Sequence, residues 1–286
     1  MHFGVRRLAS AFHYRTDPMK IGKETIPKTS VSTSNAETIV VRGKDLAQEL
    51  IGKISFTDYF HLLVTGKPAS SAATAVLDAT LVAIAEHGLV PSVQASRMTY
   101  AAAPEALQGA VAAGILGCGS VILGASETCG MLLEEVRVAA GADRDYAGAA
   151  KRVITEYRAA RRAIPGYGHP LHKARDPRVE ALFNVAKNAG ADMTYVEIAE
   201  AIERVIPDVV GKNLMLNVSA AIPAVLLGVG FPLGALKGVP ILARTAGLIG
   251  HLTEELERPI GFALSYQATR EVVYDGEVPD GFVADH

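Results

Sequence analysis

Two long stretches without a charged side chain, residues 106–126 and 213–236, constrain this chain most. Each approaches the ~20 residues that a helix needs to span a bilayer. The first carries Gly109, Gly114, Gly117, Gly119 and Gly124, and the second Pro223 and Pro232. Small residues and helix breakers at that density suit helices buried against protein rather than lipid. Elsewhere apolar residues recur at helical spacing, as Val76, Leu77, Leu81 and Ile84 do. The pattern predicts helices from Asp45, after a Ser55 cap, over 70–87, and from Pro104 to about Ser120. It continues over 127–140, 146–162, 176–188, 195–205, 212–227 and 240–255. Residues 1–37 read as an arm and the tail after Arg258 as irregular or extended. No convincing strand alternation appears, so the fold class is all-α.

One stretch breaks every period. Residues 164–178, from Ile164 to Arg178, hold glycine and proline pivots, His169, His172, Lys173, Arg175, Asp176 and Arg178. Such punctuation makes a loop, and loops on a rigid scaffold concentrate binding and catalytic groups. His169 follows Gly166 and Gly168, which let backbone approach a ligand closely, and imidazole exchanges protons near neutral pH. Read alone, His169 is equally a structural histidine, and Lys173, Arg175 and Arg178 are equally surface charges. Asp176-Pro177 reads as a helix cap and first position.

Composition narrows the partners. A net charge of −2 over 286 residues gives no electrostatic reason for nucleic acid or an anionic membrane. Cys118 and Cys129 lack histidine partners at metal-ligand spacing, which predicts small buried thiols, no metal and a reducing, cytoplasmic setting. No apolar run of signal-peptide length opens the chain. No phosphate-cradling glycine loop, His-Glu-x-x-His or nucleophile elbow is present.

The segment Pro165-Gly-Tyr-Gly-His169-x-x-x-Lys173-x-x-Asp176-Pro177-Arg178 resembles the signature loop of the citrate synthase superfamily, which includes citryl-CoA lyases and the C-terminal module of ATP-citrate lyase. Further segments are similar in order: Ser55-Phe with Leu62-Leu63-x-Thr65-Gly66, Ala85-Glu86-His87-Gly88, Gly109 to Gly114 leading to Ile122-Leu123-Gly124, Asn217-Val218, and Ala243-Arg244 through His251. The Arg-Gly-x-Asp-Leu start near residue 42 and the short length are closest to the citryl-CoA lyase branch. The resemblance implies a large helical domain (38–127 with 223–286), a smaller one (128–222), a cleft between them and a homodimer. It implies that His87 and His169 contact the keto-acid end of a substrate. Arg178 and Arg244 would bind its carboxylates. The turn Ile164, Gly166, Tyr167, Gly168 would run along coenzyme A, with Lys173 or Arg175 near the phosphates. Arg258 or Arg270 in the tail would reach a neighbouring subunit.

Two departures accompany it. The family's histidine for the thioester enolate is Ile122 here, and its catalytic aspartate is Ser219. Isoleucine donates no hydrogen bond, and serine is a poor base without an activating neighbour. The favoured expectation is cleavage of a 3-hydroxy-3-carboxyacyl-CoA, such as citryl-CoA, to a keto acid and an acyl-CoA, with His169 and Ser219 as the catalytic pair. The alternatives are thioester hydrolysis, or a non-catalytic member that binds citrate or coenzyme A or partners an active paralogue.

Overall fold

The computed structural model describes residues 27–119, 123–168 and 175–283, which divide into two compact units at Ala69/Ser70. His169, Lys173 and Ile122 lie outside the described residues.

The first unit holds what the sequence reading missed, a small antiparallel sheet in the order β1 (Ser32–Ser34), β2 (Ile39–Val41), β3 (Lys44–Asp45). Arg42 (φ 50°) and Gly43 (φ 80°) join β2 to β3 as a two-residue turn with both centres left-handed, the geometry that matches strand twist. The Arg42 guanidinium closes this turn onto the Leu63 carbonyl, 3.0 Å from Nε. A single five-residue π-helical turn, Leu46–Leu50, replaces the longer helix expected from Asp45, whose carboxylate caps it at Ala47 and Gln48. Helix α1 (Phe56–Thr65) is as predicted. Ser55 Oγ accepts from the Asp58 N–H, and Gly66 ends the helix at φ 73°. Val41, Leu50 and Leu62 form this unit's core.

In the second unit α2 (Ser71–Ala85), α3 (Pro91–Ala102), α4 (Leu107–Leu116), α10 (Gly238–Glu257) and α11 (Gly261–Glu271) pack together. Helices α5 (Gly124–Ala140), α6 (Tyr146–Ala159), α7 (Pro177–Asn188), α8 (Thr194–Val210) and α9 (Val218–Gly228) form a second group, joined to the first where α2 meets α7 and α9. Among the described residues the fold is all-α apart from the small sheet. No described helix is long and apolar enough to cross a membrane.

Two helix boundaries and two whole helices differ from expectation. The helix expected from Pro104 to about Ser120 is shorter: α4 starts at Leu107 and stops at Leu116, which is 86% exposed, and α5 begins at Gly124. The uncharged stretch 213–236 does contain a buried helix, α9, but only from Val218. The tail contains α11, and α3 occupies a region where no helix was expected.

Helix α3 escapes detection because its buried face is polar: Ser92, Ser96 and Arg97 are buried beside Val93 and Tyr100. Ser96 Oγ donates to the Ala110 carbonyl at 2.7 Å. Arg97 meets Glu255 at 2.5 Å and Glu254 at 2.8 Å, and donates to the Arg258 carbonyl. Glu255 also accepts from the backbone N–H groups of Ile260 and Gly261, tying α10 to α11.

Helices α2 and α10 approach almost backbone to backbone. A Cβ on Gly247 would stand 1.9 Å from the Ala85 carbonyl oxygen, so only glycine fits that crossing.

Candidate active site

A cavity of about 580 Å³ opens within the second unit. Its walls are mostly the first turns of helices: Val90 and Pro91 begin α3, Leu123 to Ser126 begin α5, Asp176 and Arg178 begin α7, and Asn217 to Ser219 begin α9. Helix N-termini present unsatisfied N–H groups and partial positive charge, so four converging on one space favour an anion. His87 and Arg244 complete the polar lining, while Ile84 and Ile222 supply apolar wall.

Arg244 is 5% exposed, and its Nε and Nη1 have no partner among the described residues. A buried guanidinium without a carboxylate costs several kcal/mol, on the order of the penalty for an unpaired buried charge. Arg178 differs. Asp176 grips it from two residues away, with Nε 3.0 Å from Oδ1 and Nη2 2.7 Å from Oδ2. The same Asp176 caps α7 by accepting from the Arg178 N–H. Burial pushes the Asp176 carboxyl up, but hydrogen bonds and charge from Arg178, with a backbone bond from Val218, hold it below the ordinary aspartate value.

The turn that precedes His169 is pinned by pairing. Tyr167 and Leu216 face each other as an antiparallel bridge. Gly168 N–H donates to the Met215 carbonyl at 2.8 Å, and Asn217 N–H to the Gly166 carbonyl at 3.0 Å. Gly166 (φ 86°) lies so close over α5 and α9 that a Cβ would meet Cys129 Sγ and Ala220 Cβ at 2.7 Å. Burial pushes the Cys129 thiol well up, consistent with a packing thiol rather than a nucleophile.

Asn217 links the walls. Its Nδ2 donates to the Gly168 carbonyl at 2.8 Å, and its Oδ1 accepts from the Ser219 N–H at 2.9 Å. In the sequence Asn217 carries only a family match, and asparagine's preference for the N-cap position, which it fills on α9, is the signal for its role.

His87, Gly166, Gly168, Arg178, Ser219 and Arg244 therefore line one cavity. Three residues proposed beside coenzyme A do not line it. Ile164 is half-buried outside the lining. The Tyr167 ring turns into the core, its hydroxyl donating to the Ala199 carbonyl at 2.9 Å. Arg175 points to carboxylates, 2.5 Å from Glu180 and 3.1 Å from Glu203.

Residues 55–260 match the family described as citrate synthase, C-terminal domain. The chain belongs to the citrate synthase family. Citryl-CoA lyase from Hydrogenobacter thermophilus superposes with a TM-score of 0.79 at 30% identity, over 91% of this chain and 98% of that one. ATP citrate lyase from Methanothrix soehngenii, solved with citrate and coenzyme A, shares the fold with a TM-score of 0.74 at 22% identity, over 93% of this chain and 44% of that one. Among curated relatives, citrate/2-methylcitrate synthase of Bacillus subtilis is 32% identical over 212 residues, 71% of this chain and 53% of its own length. Citrate synthase of Synechocystis is 29% identical over 210 residues, again 71% of this chain and 50% of its own length. The chain thus spans about half the length of the curated citrate synthases it matches.

Proposed function

We propose that this citrate synthase family member is a citryl-CoA lyase-like enzyme. It would cleave a 3-hydroxy-3-carboxyacyl-CoA, citryl-CoA or a relative, to a keto acid and an acyl-CoA. The observation that carries the reading is Arg244, a buried guanidinium with two unpartnered donors at a cavity walled by helix N-termini. A planar fork of this kind is suited to a substrate carboxylate. Arg178, oriented by Asp176, and His87 lie in the same wall lining.

In this reading the tertiary hydroxyl gives its proton to His169. The bond from the carbinol carbon to the carbon beside the thioester then breaks. The carbinol carbon becomes the ketone of the keto acid, and the electron pair passes to the thioester fragment as an enolate. A proton delivered at Ser219, or by a water that it holds, completes the acyl-CoA. The first turn of α9, where Ser219 sits, would stabilise the enolate charge. The turn at Gly166 and Gly168 and Lys173 would face coenzyme A. Packing of α5 to α9 with one another supports a smaller domain over 124–228, and the expected bounds at 127/128 and 222/223 both fall inside helices.

The test is to mix the purified protein with citryl-CoA and follow oxaloacetate, acetyl-CoA and free coenzyme A. Oxaloacetate with acetyl-CoA is expected. Free coenzyme A without oxaloacetate would replace the lyase with a thioester hydrolase. Citrate or coenzyme A binding without turnover would leave a non-catalytic member.

A further inference from the structure

Helix α8 contributes no side chain to the cavity lining, yet one of its faces holds both sides of the turn below it. Glu203, with a side chain 19% exposed, divides its carboxylate between two segments. Oε1 accepts from the Leu216 N–H at 2.6 Å, and Oε2 lies 3.1 Å from Arg175 Nη2. One turn earlier, the Ala199 carbonyl accepts from the Tyr167 hydroxyl. Leu216 is itself the bridge partner of Tyr167, and it is followed by Asn217 and, three residues on, Ser219. Arg175 directly precedes Asp176, the residue that orients Arg178.

We infer that Glu203 is a positioning residue, whose carboxylate fixes the Tyr167–Leu216 pairing and the Arg175–Arg178 segment relative to each other. It does not line the cavity of about 580 Å³. Its loss leaves the Leu216 N–H without its acceptor, whereas Arg175 keeps Glu180. The kinetic part rests on the lyase reading; the structural part does not. The partners of Glu203, Leu216 and Arg175, lie off α10, which carries Arg244, and Arg178 keeps its Asp176 partner, so carboxylate binding should survive while alignment of the reacting groups suffers.

The experiment compares Glu203→Ala, Glu203→Gln and a surface control on the same helix, Arg204→Ala, whose side chain is 66% exposed. Amide exchange is measured on ligand-free protein and turnover on citryl-CoA. Glu203→Ala should speed exchange at Leu216 and Gly168 at least about tenfold while α5 stays unchanged. It should lower kcat about 10- to 100-fold with KM within about threefold, the scale of a small misplacement. Glu203→Gln retains an acceptor for Leu216 and should recover most of both effects, and Arg204→Ala should match wild type. Unchanged exchange at Leu216 and Gly168 in Glu203→Ala overturns the inference. So does a kcat loss that merely tracks the unfolded fraction in both Glu203 variants. If wild type does not turn over citryl-CoA, the lyase reading fails and the exchange data alone decide the role of Glu203.

Discussion

Arg244 and Arg178 are the same residue type in one cavity with opposite circumstances. Arg178 is neutralised by Asp176, while Arg244 keeps donors in reserve. Replacing Arg244 by Met should therefore lower citrate affinity about 10- to 100-fold, the scale of a lost charged hydrogen bond. The ligand-free protein should melt no earlier, because an uncompensated buried charge is removed; calorimetric titration and thermal melts check both halves. Ser219 and Ile122 are the two positions where the resemblance expects an aspartate and a histidine. Ser219→Asp combined with Ile122→His should raise exchange of acetyl-CoA methyl protons in D2O by about 10²-fold or more, the contribution of a placed acid or base. No gain would mean that the cavity itself has diverged. The roles proposed for these two positions rest on the resemblance to the family alone, since an isoleucine and a serine announce nothing by themselves. The Asp176–Arg178 pair was half legible: its capping role is written in Asp-Pro, but its grip on the guanidinium depends on how α7 starts.

Among the elements, those with punctuated ends were readable. Ser55 and Gly66 bracket α1, and Asp176-Pro177 opens α7. Helix α3 was hidden because its buried face is polar, and Arg97 on that face finds its partners more than 150 positions away, at Glu254 and Glu255. The strands were hidden because each is three residues or fewer and has little room for alternation. Arg97→Met should cost about 3–5 kcal/mol, because Glu255 would remain buried without its partner. Denaturant melts of the variant and of an Arg97→Met, Glu255→Leu double variant check it, with partial recovery expected in the double. The cap of α7 makes its own prediction. Asp176 titrates below the ordinary aspartate value in the folded chain, so its stabilisation is complete above about pH 4 and fades as pH falls through the lowered value. Asp176→Asn should destabilise the protein at neutral pH and flatten the acid limb of its stability curve.

For the whole molecule, the all-α class followed from periodicity and the absence of strand alternation, whereas the boundary at residue 69 falls in Gly66-Lys-Pro68-Ala-Ser-Ser71, which reads only as the end of one helix and the start of the next. Phe262, Tyr266, Val272, Val273 and Tyr274 are each at least 66% exposed. Large apolar groups so concentrated mark an interaction surface, and we expect a second copy of the chain to cover them. Light scattering should give about twice the 30.1 kDa chain mass, and Val273→Asp should shift it toward the monomer without loss of helical signal. A wild-type monomer at all concentrations would discard the homodimer. The crossing at Gly247 carries a different kind of consequence. Because α2 and α10 meet with no side chain between them, Arg244 on one and His87 just past the end of the other share a fixed spacing. That side of the cavity works as a calliper with a set gap. Ligands of unequal length would have to be accommodated from the opposite side, by α7 and α9.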